Sequence, residues 1–163
     1  MSTPAFLHGF LSHERGLFAN VLKAVPEGGL EHRPDPKART AGELVGHLIG
    51  HNLDLVELLE DGVIHHRNQV PFASIGEAVD AFDESFGSVL ESLGTIPDER
   101  WNASGKFFAG EHLVMEAPVQ QLAWGMFLDA VHHRGQLSTY LRPMGSKVPA
   151  IYGPSADDQG DGH

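Results

Sequence analysis

The chain has 163 residues, enough for one domain with a real core, and 41% of them are hydrophobic against 20% charged. Twenty-two Asp and Glu against 11 Lys and Arg give a net charge of −11, which argues against nucleic acid as the main partner, because that binding rests on phosphate neutralisation by Lys and Arg. Cysteine is absent, which excludes a disulfide framework, a thiolate metal site and a cysteine nucleophile.

The first predicted helix covers residues 4–24. Thr3 is placed to cap it, and Pro4 suits the first helical position, where a missing N–H costs nothing. Phe6, Phe10, Leu17 and Val21 recur at helical spacing and predict its apolar face. Pro26, Gly28 and Gly29 end it, and the prolines in Glu31-His32-Arg33-Pro34-Asp35-Pro36 exclude a helix interior there. Thr40-Ala41-Gly42-Glu43 is a capping box that opens a second helix over residues 41–61, with Gly62 as its C-cap. His65 and His66 follow in a stretch read as an exposed loop.

Ser74-Ile75-Gly76-Glu77 reads as a second capping box, opening a helix to about Leu93, where Gly94 stops it. Ile75, Val79, Phe82, Phe86, Val89, Leu90 and Leu93 form its apolar stripe. Residues 95–117 combine Trp101, Phe107, Phe108, Leu113 and Val114 with helix-breaking Gly105 and Gly110, so a hairpin or packed loop is expected. A fourth long helix covers residues 118–141. The segment 147–154 is expected to pack back on the helices and the chain beyond Ser155 to fray. The predicted fold class is therefore all-α: a four-helix bundle over residues 1–155 with an irregular loop or short hairpin before the last helix, and a flexible polar tail over 156–163. No apolar run approaches the roughly 18 residues of a membrane helix, and Met1-Ser2-Thr3-Pro4 lacks a signal peptide's basic start. The expectation is a soluble cytoplasmic protein.

Two i,i+4 pairs carry the chemistry. Asp129 and His133 fill a gap in the seam of Leu122, Met126, Leu137 and Tyr140, and so are expected to face the bundle interior. His47 and His51 lie within or beside the face marked by Leu44, Leu48, Leu55 and Leu58. A carboxylate in a core must be neutralised or matched to a cation, and a divalent metal between two helices does so. The plainer alternatives are a metal-free Asp129–His133 hydrogen bond, and a structural role for His51 in a chain with 11 histidines. His132 is rotated about 100° from His133 and is expected to face elsewhere.

Three stretches resemble the DinB-like (DinB/YfiT-like metalloenzyme) superfamily. They are Ala41-Gly42-Glu43-Leu44-Val45-Gly46-His47-Leu48, the run His132-His133-Arg134-Gly135-Gln136-Leu137-Ser138-Thr139-Tyr140-Leu141-Arg142, and Val148-Pro149-Ala150-Ile151-Tyr152-Gly153-Pro154-Ser155. The resemblance implies a four-helix bundle holding one divalent metal through three residues, three histidines in many members. Here they fall on His47, Asp129 and His133, and Asp129 departs from the all-histidine pattern. Two imidazoles and a carboxylate suit zinc or nickel, and also iron or manganese.

The resemblance further implies thiol chemistry, as in a mycothiol-dependent isomerase and in transferases that join a low-molecular-weight thiol to an electrophile. The expected activity is a metal-dependent transferase or isomerase of that kind, or a hydrolase-like reaction, on a small-molecule substrate. Arg134, adjacent to the site in sequence, is read as an anion binder or a surface salt bridge, and Gln136 as a partner behind the ligands. A homodimer is expected on family grounds. The alternative is a non-catalytic bundle, stapled by its metal, with a structural, binding or stress-related role.

Overall fold

The computed structural model describes residues 3–158. Along the chain run α1 (Pro4–Lys23), α2 (Ala41–Asp61), β1 (Val63–His65), α3 (Ile75–Thr95), the short α4 (Asp98–Asn102), β2 (Ser104–Ala109), β3 (His112–Pro118) and α5 (Val119–Leu141). The four long helices lie against one another: α2 packs on α3 and α5, and α1 packs on the same two. Leu7, Leu11, Phe18, Leu44, Leu48, Phe82, Val89, Leu137 and Leu141 are buried between them. Phe18 stacks on Phe82 at 5.6 Å between ring centres and touches Phe86 at 6.1 Å, which ties α1 to α3. No helix among the described residues is long and apolar enough to cross a membrane.

The helix ends follow local chemistry. Thr3 Oγ1 accepts from the Phe6 N–H at the start of α1. Thr40 and Glu43 form the full reciprocal box at α2, and Gly62 closes it at φ +77°, a left-handed conformation that a side chain would strain. The Ser74 box is only half realised. Ser74 accepts from the Glu77 N–H, but Glu77 reaches past Ser74 to accept from Ala73.

Three expectations change. The fold is mostly helical but not all-α, because a small sheet of order β1-β2-β3 joins it. The hairpin foreseen in residues 95–117 forms β2 and β3, paired antiparallel. Its partner β1 comes from the stretch read as a loop: Val63, Ile64 and His65 pair in parallel with Lys106, Phe107 and Phe108. A three-residue strand leaves almost no periodic signal, and its partner lies some forty residues away. The apolar face of α1 is also partly rotated from the one predicted: Val21 is buried as expected, together with Leu7, Leu11, Phe18 and Leu22, whereas Phe6 and Phe10 remain exposed and gather with Trp124.

The segment 147–154 does pack back, with Val148 and Ile151 against the core and Ser146 Oγ bonded to the Ala24 carbonyl. Of the segment expected to fray, Asp157 takes bonds from Arg142 Nε and the Val148 N–H. Residues 159–163 lie outside the described part.

Candidate metal centre

The crossing of α2 and α5 brings His47, His51, Asp129 and His133 together, each offering one ligand atom, with all four atoms within 4.8 Å of one another. Ring centres are 4.4 Å apart for His47 and His51 and 4.6 Å for His47 and His133. Asp129 Oδ2 lies 3.1 Å from His51 Nε2 and 3.3 Å from His133 Nε2.

Two of the imidazoles are oriented from behind. His47 Nδ1 donates to the Asn68 carbonyl at 2.7 Å, and His133 Nδ1 donates to Gln136 Oε1 at 2.7 Å. A ring whose Nδ1 carries the proton keeps the Nε2 lone pair free, the form that binds a cation. His51 is buried, and neither of its nitrogens has a hydrogen-bond partner among the described residues; Asp129 Oδ2 approaches its Nε2 to 3.1 Å without hydrogen-bond alignment. Buried polar atoms normally find partners, so an orphaned imidazole beside a carboxylate and two oriented imidazoles is the arrangement a divalent cation satisfies.

Backbone shape contributes as well. The loop after β1 crosses α2 so closely that a Cβ on Gly46 would sit 2.5 Å from the Val70 carbonyl oxygen, and one on Gly50 2.6 Å from that of Arg67. These two glycines flank His47 and let the loop deliver the Asn68 carbonyl to it.

His47 stands at about 3 in the folded chain, well below its ordinary 6.5, chiefly because burial disfavours the imidazolium, with the charges of His51 and Arg39 adding to the effect. His133 is lowered too, again by burial first. Asp129 is held to about 2, the His51 ring being the largest cause and the charges of His133, His51 and His47 adding. His47, Asp129 and His133 are therefore already in their ligand states at neutral pH.

A folded imidazole with a depressed pKa contributes its full stability above about pH 6.5, and loses it as pH falls toward 3, because the unfolded chain takes up the proton first. Asp129 acts in the same direction between its ordinary 3.8 and about 2. Urea unfolding of metal-free protein is thus expected to show stability dropping steadily from pH 7 to pH 4, with a shallower slope in His47→Gln. An identical slope in the variant would refute this account.

Four expectations need correction. Asp129 is not interior: its side chain is 49% exposed, at the open rim of the centre. His51, for which a structural role is the plainer reading of the sequence, lies within the group. Its spacing from His47 was the available signal. Arg134 is neither an anion binder nor a surface residue. It is 2% exposed, paired with buried Glu14 on α1, bonded to Tyr152 Oη at 2.6 Å, and stacked over Phe18. The histidines after α2 are also engaged: His65, exposed as expected, bonds Glu57, and half-buried His66 donates Nδ1 to the fully buried Asp54. The His66 ring lies 5.4 Å from that of His47 and 5.9 Å from that of His51. Gln136 stands behind His133 as expected, and exposed His132 contributes no ligand atom to the group.

The profile of the DinB family matches residues 1–161. Among solved structures, the chain is similar to a DinB-like protein from Bacillus cereus, with 20% identity, a TM-score of 0.69, and coverage of 86% of this chain and 92% of that one. It is also similar to the DinB-like protein YjoA from Bacillus subtilis, with 15% identity, a TM-score of 0.68, and coverage of 86% and 95%. At these identities the likeness concerns the fold alone. No curated protein matches the chain.

Proposed function

The chain belongs to the DinB family, and from that premise we propose that it is a divalent-metal-dependent enzyme, a transferase or isomerase that uses a low-molecular-weight thiol as co-substrate. The carrying observation is the His47, His51, Asp129 and His133 group, convergent within 4.8 Å and open to solvent on its Asp129 side. The family assignment suggests His47, Asp129 and His133 as the ligand set, and the position of His51 supports a fourth donor. Imidazoles with one carboxylate fit zinc or nickel, with iron or manganese as further candidates.

When bound, a divalent cation supplies Lewis-acid charge that lowers the pKa of a thiol or water. The residues do the rest. Asn68 and Gln136 hold two imidazoles in the ligand tautomer. Asp129 partly offsets the cation's charge and leaves one side of the centre accessible. His66, whose Nδ1 is committed to Asp54, keeps Nε2 free to take a proton from a substrate beside the centre.

The bundle formed by the four long helices is the scaffold in this reading. A second copy is the partner we propose, contacting through exposed Phe6, Phe10 and Leu128, and the cytoplasm is the proposed compartment of this cysteine-free chain. The competing reading, a metal that only staples the fold, fits a closed and saturated site, and half-exposed Asp129 speaks against it.

The test is elemental analysis of protein purified without chelator, followed by a screen of thiols against electrophilic small molecules. The expected result is about one metal per chain and thiol conjugation or isomerisation that EDTA abolishes. Metal-free protein whose melting temperature ignores both EDTA and added metal would overturn the proposal.

A further inference from the structure

Three of the chain's cationic side chains, Arg33, Lys37 and Arg39, line one cavity of about 290 Å³, in which Glu43 is the only carboxylate. Glu43 is already engaged, accepting from the Thr40 N–H at 2.6 Å and lying 4.0 Å from Arg33 Nη2, so the pocket keeps two cations in excess. On a chain of net charge −11 this is a local positive pocket. It borders the metal centre through one residue, Asn68, which lines the cavity and whose carbonyl oxygen also receives His47 Nδ1.

Arg39 is fixed in that wall. Its Nη1 donates to the Asn68 carbonyl at 3.2 Å and its Nη2 to Asn68 Oδ1 at 3.0 Å, while Tyr140 Oη bonds the Arg39 carbonyl at 3.3 Å. Arg39 makes no salt bridge among the described residues, unlike Arg15, Arg33, Arg67, Arg134 and Arg142, each of which pairs with a carboxylate. Of its five N–H donors, Nε–H and two Nη–H stay uncommitted among the described residues, enough for a two-pronged grip on a planar oxyanion. Arg39 Nη1 and His47 Nδ1 donate to the same Asn68 carbonyl, which places Arg39 beside the centre.

We infer that Arg39, with Arg33 and Lys37, forms an anion subsite that receives a carboxylate of the small molecule handled at the adjoining metal centre. The inference rests on the metal–thiol reading above and names what that reading leaves open, the chemical class of the ligand. A planar carboxylate suits the fork that Asn68 leaves free, and the two flanking cations add non-directional attraction.

The test uses full-length protein loaded with cobalt(II), whose absorption reports thiolate binding. It compares 3-mercaptopropionate with 2-mercaptoethanol, which replaces the carboxylate by a hydroxyl. The wild type is expected to favour the carboxylate thiol at least about tenfold at low salt, and Arg39→Gln to bring the ratio near one. Arg39→Lys, which keeps the charge but not the fork, should fall between. If Arg39→Gln melts early, Lys37→Gln, at an exposed position, should still lower the ratio about twofold.

Equal affinities for the two thiols in the wild type overturn the subsite and leave the thiol reading standing. A cobalt spectrum that responds to neither thiol overturns the thiol reading. The subsite is then decided by titrating succinate into the same protein: binding that Arg39→Gln weakens at least about tenfold supports it, and absent or unaffected binding overturns it.

Discussion

Zinc added to metal-free protein is expected to raise the melting temperature by roughly 5–10 °C, and His51→Ala is expected to abolish most of that rise. A ligand present at about 100 times its Kd stabilises the fold by about 2.7 kcal/mol. In a domain of this size each kcal/mol moves the melting temperature by about 2–4 °C. His51 is the informative position because the family pattern passes over it, whereas the geometry places it beside His47 and Asp129 with both ring nitrogens unpartnered among the described residues. Losing even a residue that supports a ligand from behind commonly costs about 10–100-fold in metal affinity, and a ligand should cost at least as much. His132→Ala, on an exposed ring that contributes no ligand atom, serves as the control and should keep the full shift. An unchanged shift in His51→Ala would restrict the ligand set to His47, Asp129 and His133.

Arg134→Met is expected to cost about 3–5 kcal/mol, because it leaves the Glu14 carboxylate buried without its cation. At about 2–4 °C per kcal/mol the melting temperature should fall by roughly 10 °C. The double variant Glu14→Leu/Arg134→Met should recover most of the loss, since two apolar side chains leave no uncompensated charge behind. A single variant within about 1 kcal/mol of wild type, or a double variant no better than the single, would contradict this role.

The effect reaches the candidate metal site through helix geometry. Arg134 is one residue from His133, about 100° around α5. Anchoring Arg134 to Glu14 on α1 and to Tyr152 of the C-terminal segment fixes the rotation that turns His133 and Asp129 toward α2. The single variant should therefore also bind metal more weakly, although it touches no ligand.

Much of the helical framework was legible in the chain. Thr3, the Thr40–Glu43 box and Gly62 mark helix ends by chemistry that acts within four residues, and the structure places them as read. Within one helix, the four-residue spacing of Asp129 and His133, and of His47 and His51, fixes which side chains share a face regardless of the rest of the fold. The misses have a common character. Phe6 and Phe10 lie on an apolar face of α1, but α3 and α5 cover the neighbouring face carrying Leu7, Leu11 and Phe18. Asp129 occupies a seam position yet lies at the rim, where the packing opens.

By itself, then, the sequence determined four long helices, their caps and two pairs of metal-capable side chains, because those features rest on contacts between residues three or four apart. The tertiary structure alone decided that His51 lies beside His47, Asp129 and His133, that Arg134 is buried, and that β1 finds β2. It also decided that the loop crossing Gly46 and Gly50 brings Asn68 to both His47 and Arg39. Each of these depends on how one helix is rotated and crossed against another, which is set by the packing of residues distant along the chain and leaves no periodic mark in it.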